Sequence, residues 1–218
     1  MTLWQRWVVT VTAAEMIGFA VPAVAGALTA GASVSVSVPA LLAAGAVEGL
    51  MLGWGQAVVL RRVLRGFPCR RWVVRTAAAA VLAYAAGLLP STFSDVWTGW
   101  PPAVLIPVAG LLALVLLNTI GVAQWTVLRG RVPRAGRWIA YSAAAWLAGL
   151  IVFTLFSTPL WQPGQPLPLI VAIGVAGGLL MAVTMAAVTG HAVRGWAGPA
   201  DPRRGPSGPV PGHAAARQ

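Results

Sequence analysis

Residues 103–128 read AVLIPVAGLLALVLLNTIGVAQWTVL, an apolar run without a charged side chain that ends directly before Arg129. A helix needs roughly 20 mostly apolar residues to cross the hydrocarbon core of a bilayer. Five further runs of this kind are separated by breaks rich in Arg, Pro, Ser or Gly. The sequence therefore predicts an all-α integral membrane bundle of six transmembrane helices, with spans near 5–30, 38–60, 73–93, 103–128, 138–158 and 168–193.

The composition of the 218-residue chain agrees with this class, since 58% of the residues are hydrophobic and only 9% are charged. All fifteen basic residues are Arg, and most of them lie in short clusters between the apolar runs. The net charge of +11 is therefore attributed to membrane topology and not to nucleic-acid binding. With one Cys, two His and four carboxylates, the chain offers no metal cluster, paired nucleophile and base or cofactor motif, so we expect neither an enzyme nor a cofactor.

The distribution of Arg predicts the orientation of the spans. Residues 61–75 contain six Arg and residues 129–137 contain four, whereas the other three loops, 31–37, 94–102 and 159–167, contain Asp95 as their one charged residue. Loops rich in Arg stay on the cytoplasmic side of a membrane. Both termini are therefore predicted to be cytoplasmic, in a multi-pass protein of the cytoplasmic membrane. The bias toward Ala, Gly and Arg without Lys suits a bacterium.

The two ends of the chain need separate interpretation. The first apolar run contains Ala23-Val24-Ala25, which resembles a signal-peptide cleavage site, but Glu15 in the same run favours a retained span. At the other end, residues 195–218 contain five Pro and five Gly. Such a segment cannot bury an apolar face, so residues 1–194 are predicted to form the transmembrane domain and 195–218 a disordered cytoplasmic tail.

An internal repeat is visible in the odd-numbered spans. Each of them opens with an Arg-Trp pair, at Trp7, Trp72 and Trp138, with separations of 65 and 66 residues. Equal spacing at a fixed period is the mark of a repeated structural unit. The sequence therefore predicts three parallel two-helix hairpin repeats that all enter from the same side of the membrane.

The even-numbered spans carry a second repeated signal. Spans two and four end in G-x-x-Q-x-x-x-L-R, from Gly53 to Arg61 and from Gly121 to Arg129. In span six, counting back from Arg194 places Thr189 where the other copies have Gln. The third copy of the motif is therefore altered.

The segment from Gly121 to Trp138 resembles uncharacterised bacterial multi-pass membrane proteins with repeated G-x-x-Q-W-x-x-L-R segments, each followed by a Trp some residues later. The likeness extends over spans two to five. This chain departs from the pattern at Ala57, where that group has Trp after the Gln. The resemblance implies a fold type and no activity.

Glu15 and Glu48 are the two carboxylates inside the apolar runs. Each lies about ten residues from a span boundary, which places both near the midplane. Ionisable residues at that depth are candidates for function, and two carboxyl groups in contact would share a proton. The structural alternative is that each is a neutral acid that holds neighbouring helices together.

Three amide side chains complete the intramembrane polar candidates: Gln56, Gln124 and Asn118. A Gln that faced lipid would lack hydrogen-bond partners, so these amides are expected to point into the bundle. Gln56 and Gln124 occupy equivalent positions of the predicted repeat and could meet around its axis. They are interpreted either as interhelical contacts or as groups that contact a solute.

Two functional hypotheses follow from these residues. The first is a non-catalytic inner-membrane component that scaffolds, senses or modulates a partner. The second is a small transporter or channel-like protein that uses the midplane carboxylates for proton or cation coupling. The expected partners are the lipid bilayer and either another membrane protein or a second copy of the chain.

Overall fold

The structure is a computed structural model that describes residues 1–196. This part of the chain is helical, with six helices long and apolar enough to cross a membrane and one short helix in a loop. Their bounds are α1 (Leu3–Thr29), α2 (Val34–Val63), α3 (Cys69–Thr92), α4 (Ser94–Trp97), α5 (Pro102–Leu128), α6 (Arg137–Leu160) and α7 (Leu167–Arg194). The predicted all-α bundle of six spans is confirmed. Residues 197–218, which make up most of the predicted tail, lie outside the described residues.

The six long helices form a closed ring in chain order. Each helix contacts the next one along the chain, with α3 packed directly on α5 beyond the short α4, and α7 returns to contact α1. The Trp4 indole at the start of α1 donates a hydrogen bond to the carbonyl of Ala187 near the end of α7. Both ends of the membrane domain therefore lie at the same end of the bundle, which is also the end that carries the two Arg-rich loops.

The Arg-rich loops turn sharply at glycine. Gly66 has φ of +65° and Gly130 has φ of +77°, a backbone conformation that side chains with a Cβ rarely adopt. Phe67 in the first loop and Val132 in the second are buried against the ends of the helices. The loops thus fold back over this end of the bundle instead of extending away from it.

Small residues set the spacing between α2 and α3. A Cβ added at Gly49 would lie 2.6 Å from the Cβ of Ala80 and 2.8 Å from the Cα of Ala77, which is closer than atoms can pack. A Cβ at Gly53 would lie 3.0 Å from the Cα of Val73. Close backbone approach of this kind lets helices associate within lipid, where no hydrophobic force drives them together.

Candidate functional site

Three buried indoles lie in the Arg-rich half of the bundle. Trp7, Trp72 and Trp138 are at most 1% exposed, and each lies near the beginning of its helix. The ring centroid of Trp138 lies 6.1 Å from the ring centroid of Trp7 and 5.9 Å from that of Trp72. Edge-on and tilted aromatic contacts at such distances are favourable. The three indoles therefore pack together across the ring, although they come from three different helices.

Each of these indoles donates its N–H to a polar side chain of an adjacent helix in the ring. Trp72 donates to Gln56 Oε1 at 3.1 Å, and Trp138 donates to Gln124 Oε1 at 2.8 Å. Trp7 donates to Thr189 Oγ1 at 2.9 Å. The three acceptors occupy equivalent positions of the predicted repeat, and the last pair connects the first helix to the final one.

Gln124 links two of these pairs into one network. Its Nε2 donates to Gln56 Oε1 at 2.7 Å and to Thr76 Oγ1 at 3.0 Å. The Thr76 hydroxyl in turn donates to the carbonyl of Trp72 at 2.9 Å. Buried hydrogen bonds therefore join α2, α3, α5 and α6 in a region that contains no charged side chain.

Leucine or valine lies beside each Trp. Leu60, Leu128 and Val193 directly precede the Arg that ends each predicted unit, and all three are fully buried. We refer to the following six side chains as the tryptophan layer: Trp7, Trp72, Trp138, Leu60, Leu128 and Val193. These residues belong to one buried hydrophobic cluster that also includes the loop residues Phe67 and Val132. The layer closes the Arg-rich end of the ring.

A central cavity of about 340 Å³ lies on the other side of this layer, in the middle of the bundle. All six long helices contribute to its wall, for example through Phe19, Leu52, Ala83, Leu116, Leu150 and Met181. Glu48 and Tyr84 are the two polar side chains in the wall, and the other residues are apolar or glycine. The volume is within the range of about 300–1,000 Å³ that is typical of small-molecule sites.

Glu48 and Tyr84 are hydrogen-bonded to each other at the cavity wall. The Tyr84 hydroxyl donates to Glu48 Oε2, and the Glu48 side chain is 7% exposed. Gly45 makes this contact possible, because a Cβ at that position would lie 2.5 Å from Cδ2 of the Tyr84 ring. A ligand in the cavity would therefore meet one carboxyl group whose position is fixed by a phenol.

Glu15 lies next to Glu48 but does not line the cavity. The two carboxyl groups are close enough to interact, and α1 approaches α2 closely at Gly18, where a Cβ would lie 3.1 Å from the Cα of Glu48. Oε2 of Glu15 is buried and has no hydrogen-bond partner among the described residues. The pair can hold a shared proton between the two side chains.

Asn118 is not part of either group. Its side chain is half-buried on the outer surface between α3 and α5, and its amide donates to the carbonyl of Leu114 on the same helix at 2.9 Å. Conversely, sequence reasoning missed Tyr84, although it lies in the middle of the third apolar run. The repeated Arg-Trp pairs predict a structural repeat, but their sequence does not indicate that the three indoles donate hydrogen bonds to buried side chains.

No protein-family model, curated protein or solved structure matches the chain. The geometry of the cavity and of the polar groups around it is therefore the basis on which a function can be assigned.

Proposed function

We propose that this protein is a non-catalytic membrane component that senses or modulates a partner through an apolar ligand held in the central cavity. The observation that carries the proposal is the cavity itself. It has a volume of about 340 Å³, its wall comes from all six membrane helices, and Glu48 and Tyr84 are its only polar side chains among the described residues. A ligand that contacts every helix can change how the helices pack.

The tryptophan layer supports binding over conduction. Its six side chains are at most 1% exposed, and the loop residue Phe67 packs against the layer from the Arg-rich side. An aqueous pathway across the membrane would have to open this close-packed layer and break the buried hydrogen bonds that Gln56, Gln124 and Thr189 accept from its indoles. The cavity therefore suits a molecule that enters from one side or from the bilayer and leaves by the same route.

The wall chemistry indicates what kind of ligand fits. An apolar wall favours a hydrocarbon chain or ring, whereas Glu48 provides hydrogen bonding at one point of the wall. Burial of an unpaired polar group costs free energy, so a ligand with one hydroxyl or amide positioned at Glu48 would bind better than a pure hydrocarbon. A single-chain lipid with an uncharged polar end, such as a monoacylglycerol, has this pattern.

The experiment uses Trp146, which lines the cavity. A monoacylglycerol with a brominated chain should quench the fluorescence of the purified protein, and the Trp146→Phe variant should lose that part of the quenching. Ala83→Phe, which fills the cavity, should weaken binding about tenfold or more, because the ligand then has to displace a packed side chain. Ala144→Phe is the matched control, because Ala144 is exposed on the outer surface of α6 and does not line the cavity. Equal quenching in wild type, Ala83→Phe and Trp146→Phe would contradict the proposal.

A proton- or cation-coupled transporter is the second candidate, and the contact between Glu15 and Glu48 favours it. Proton flux into liposomes separates the two functions. Binding without transport predicts the same flux for wild type, Glu15→Gln, Glu48→Gln and empty liposomes. Flux that is present in the wild type and lost in both Gln variants would replace the ligand-binding proposal with a transporter.

The cytoplasmic membrane of a bacterium is the proposed location, with the Arg-rich loops and both termini on the cytoplasmic side. The support is the concentration of ten Arg in residues 61–75 and 129–137, at the end of the bundle where α1 begins and α7 ends. The partner that binds the ligand-bound form of this protein would be another membrane protein or a second copy of the chain.

A further inference from the structure

Four arginines surround a cleft at the Arg-rich end of α3 and α5. Arg71 and Arg75 on α3 face Arg129 and Arg131, which follow α5, across a cleft of about 230 Å³. All four side chains are exposed. The Arg75 guanidinium donates a hydrogen bond to the Thr126 hydroxyl and so connects the two helices across the cleft. The positive charges are therefore held close together by the fold.

No carboxylate of the described residues lies near this cleft. Glu15 and Glu48 are buried side by side between α1 and α2, and Asp95 lies in α4, beyond the opposite end of α3. Like charges that converge without a counter-ion repel each other, so an anion from outside the described chain would be attracted to the cleft. Phosphate is the anion whose geometry fits converging guanidinium groups best.

An apolar groove continues from the cleft along the outer surface. Arg75, Thr126 and Arg129 line both the cleft and this groove, which has a volume of about 630 Å³. Its lining combines small side chains, including Ala78 and Ala123, with exposed aliphatic side chains such as Leu82 and Val115. The two polar residues farther along it, Asn118 and Thr119, donate to carbonyl groups of their own helix. The groove therefore presents a largely apolar surface to the membrane.

The length of the groove matches one leaflet of a bilayer. Its lining on α5 extends from Arg129 to Val115. The helical part from Thr126 to Val115 has a length of about 16 Å at a rise of about 1.5 Å per residue. Half of a hydrocarbon core is about 15 Å thick. An acyl chain that began at the cleft would thus fill the groove and end near the midplane.

We propose that this cleft and groove bind one anionic phospholipid, with its phosphate held by Arg75 and Arg129 and one acyl chain in the groove between α3 and α5. Arg71 and Arg131 add positive charge at the rim of the cleft. The site is separate from the central cavity and does not depend on the proposed ligand there.

The test compares lipid binding to purified full-length protein by native mass spectrometry, with phosphatidylglycerol and phosphatidylcholine as probes. We expect the wild type to bind phosphatidylglycerol at least tenfold more tightly than phosphatidylcholine. The double variant Arg75→Gln/Arg129→Gln should lose about tenfold or more of that affinity, because each charge-assisted contact to phosphate is a strong one. The matched control is Arg61→Gln/Arg62→Gln, which removes the same charge from exposed residues outside the cleft.

Two further measurements separate the lipid from other anions. Ala78→Phe fills the groove without a change of charge and should weaken phosphatidylglycerol binding severalfold. Glycerol phosphate, which has the phosphate but no chain, should not compete at millimolar concentration. Equal losses in the two double variants would mean unspecific surface attraction and would overturn the site. Full competition by glycerol phosphate would assign the cleft to a soluble phosphate compound and would also overturn the lipid proposal.

Discussion

Gln124→Leu should destabilise the bundle far more than the same change at Asn118. Gln124 is 1% exposed and makes three hydrogen bonds to other helices, with Gln56, Thr76 and Trp138. Side-chain hydrogen bonds between membrane helices contribute about 0.6 kcal/mol on average and up to about 1.7 kcal/mol. Three of them correspond to about 2 kcal/mol, and a Trp138 N–H left without an acceptor adds about 1 kcal/mol. We therefore expect a loss of about 3 kcal/mol in the free energy of unfolding.

Asn118→Leu is the control on the same helix. The Asn118 amide donates only to the carbonyl of Leu114 and lies on the outer surface. Leucine there faces lipid, so the expected change is within about 0.5 kcal/mol. Both variants and the wild type would be unfolded reversibly in mixed micelles, with helix content as the readout.

A double-mutant cycle measures how much of this loss in unfolding free energy comes from the hydrogen bond between Trp138 and Gln124. Trp138→Phe removes the donor, so Gln124→Leu should cost less in that background by about 0.6–1.7 kcal/mol. Strictly additive losses, or losses that are equal for Gln124→Leu and Asn118→Leu, would refute the view that the buried amides stabilise the ring.

Three further outcomes are expected. Gly49→Val should lower the free energy of unfolding by about 2 kcal/mol or more, because its Cβ would collide with Ala80. Gly110→Val is the control: no heavy atom of another residue lies within 4 Å of a Cβ at that position, so thermal unfolding should not change. Tyr84→Phe should destabilise the protein by about 1–3 kcal/mol, since it removes the hydroxyl that donates to Glu48; the same melting temperature for both proteins would contradict that role. Reporter fusions at the two Arg-rich loops should be active only with cytoplasmic reporters, and periplasmic activity there would reverse the topology.

The number and position of the helices could be predicted from the sequence, because the length of an apolar run is a local property of the chain. Which side of each helix points into the bundle could not be predicted from the sequence. In a soluble helix the apolar side marks the core, but in a membrane helix the lipid-facing side is apolar as well. The hydrophobic pattern of α5 therefore contains little information about which residues point inward.

Asn118 and Gln124 illustrate this limit. Both amides lie in the same apolar run, and both were expected to point into the bundle. At 3.6 residues per turn, two positions six residues apart differ by about 120° around the helix axis. When Gln124 points to the ring centre, Asn118 consequently points to the groove beside α3. Only the packing of α5 against α3 and α6 determines which of the two amides is buried.

The Trp–acceptor hydrogen bond between α1 and α7 differs from the other two hydrogen bonds of this kind at the centre of the helix ring. Thr189 accepts the N–H of Trp7 at 2.9 Å, as Gln56 and Gln124 do for their own Trp, but among the described residues it makes no hydrogen bond to either Gln. A cavity of about 10 Å³ lies among Gln56, Gln124, Ser142 and Thr189, which is near the lower limit of space for one water molecule. A ring of six helices in which one of three acceptors is a short Thr therefore keeps the hydrogen bond to the indole where α7 meets α1, and leaves a small space at its polar centre.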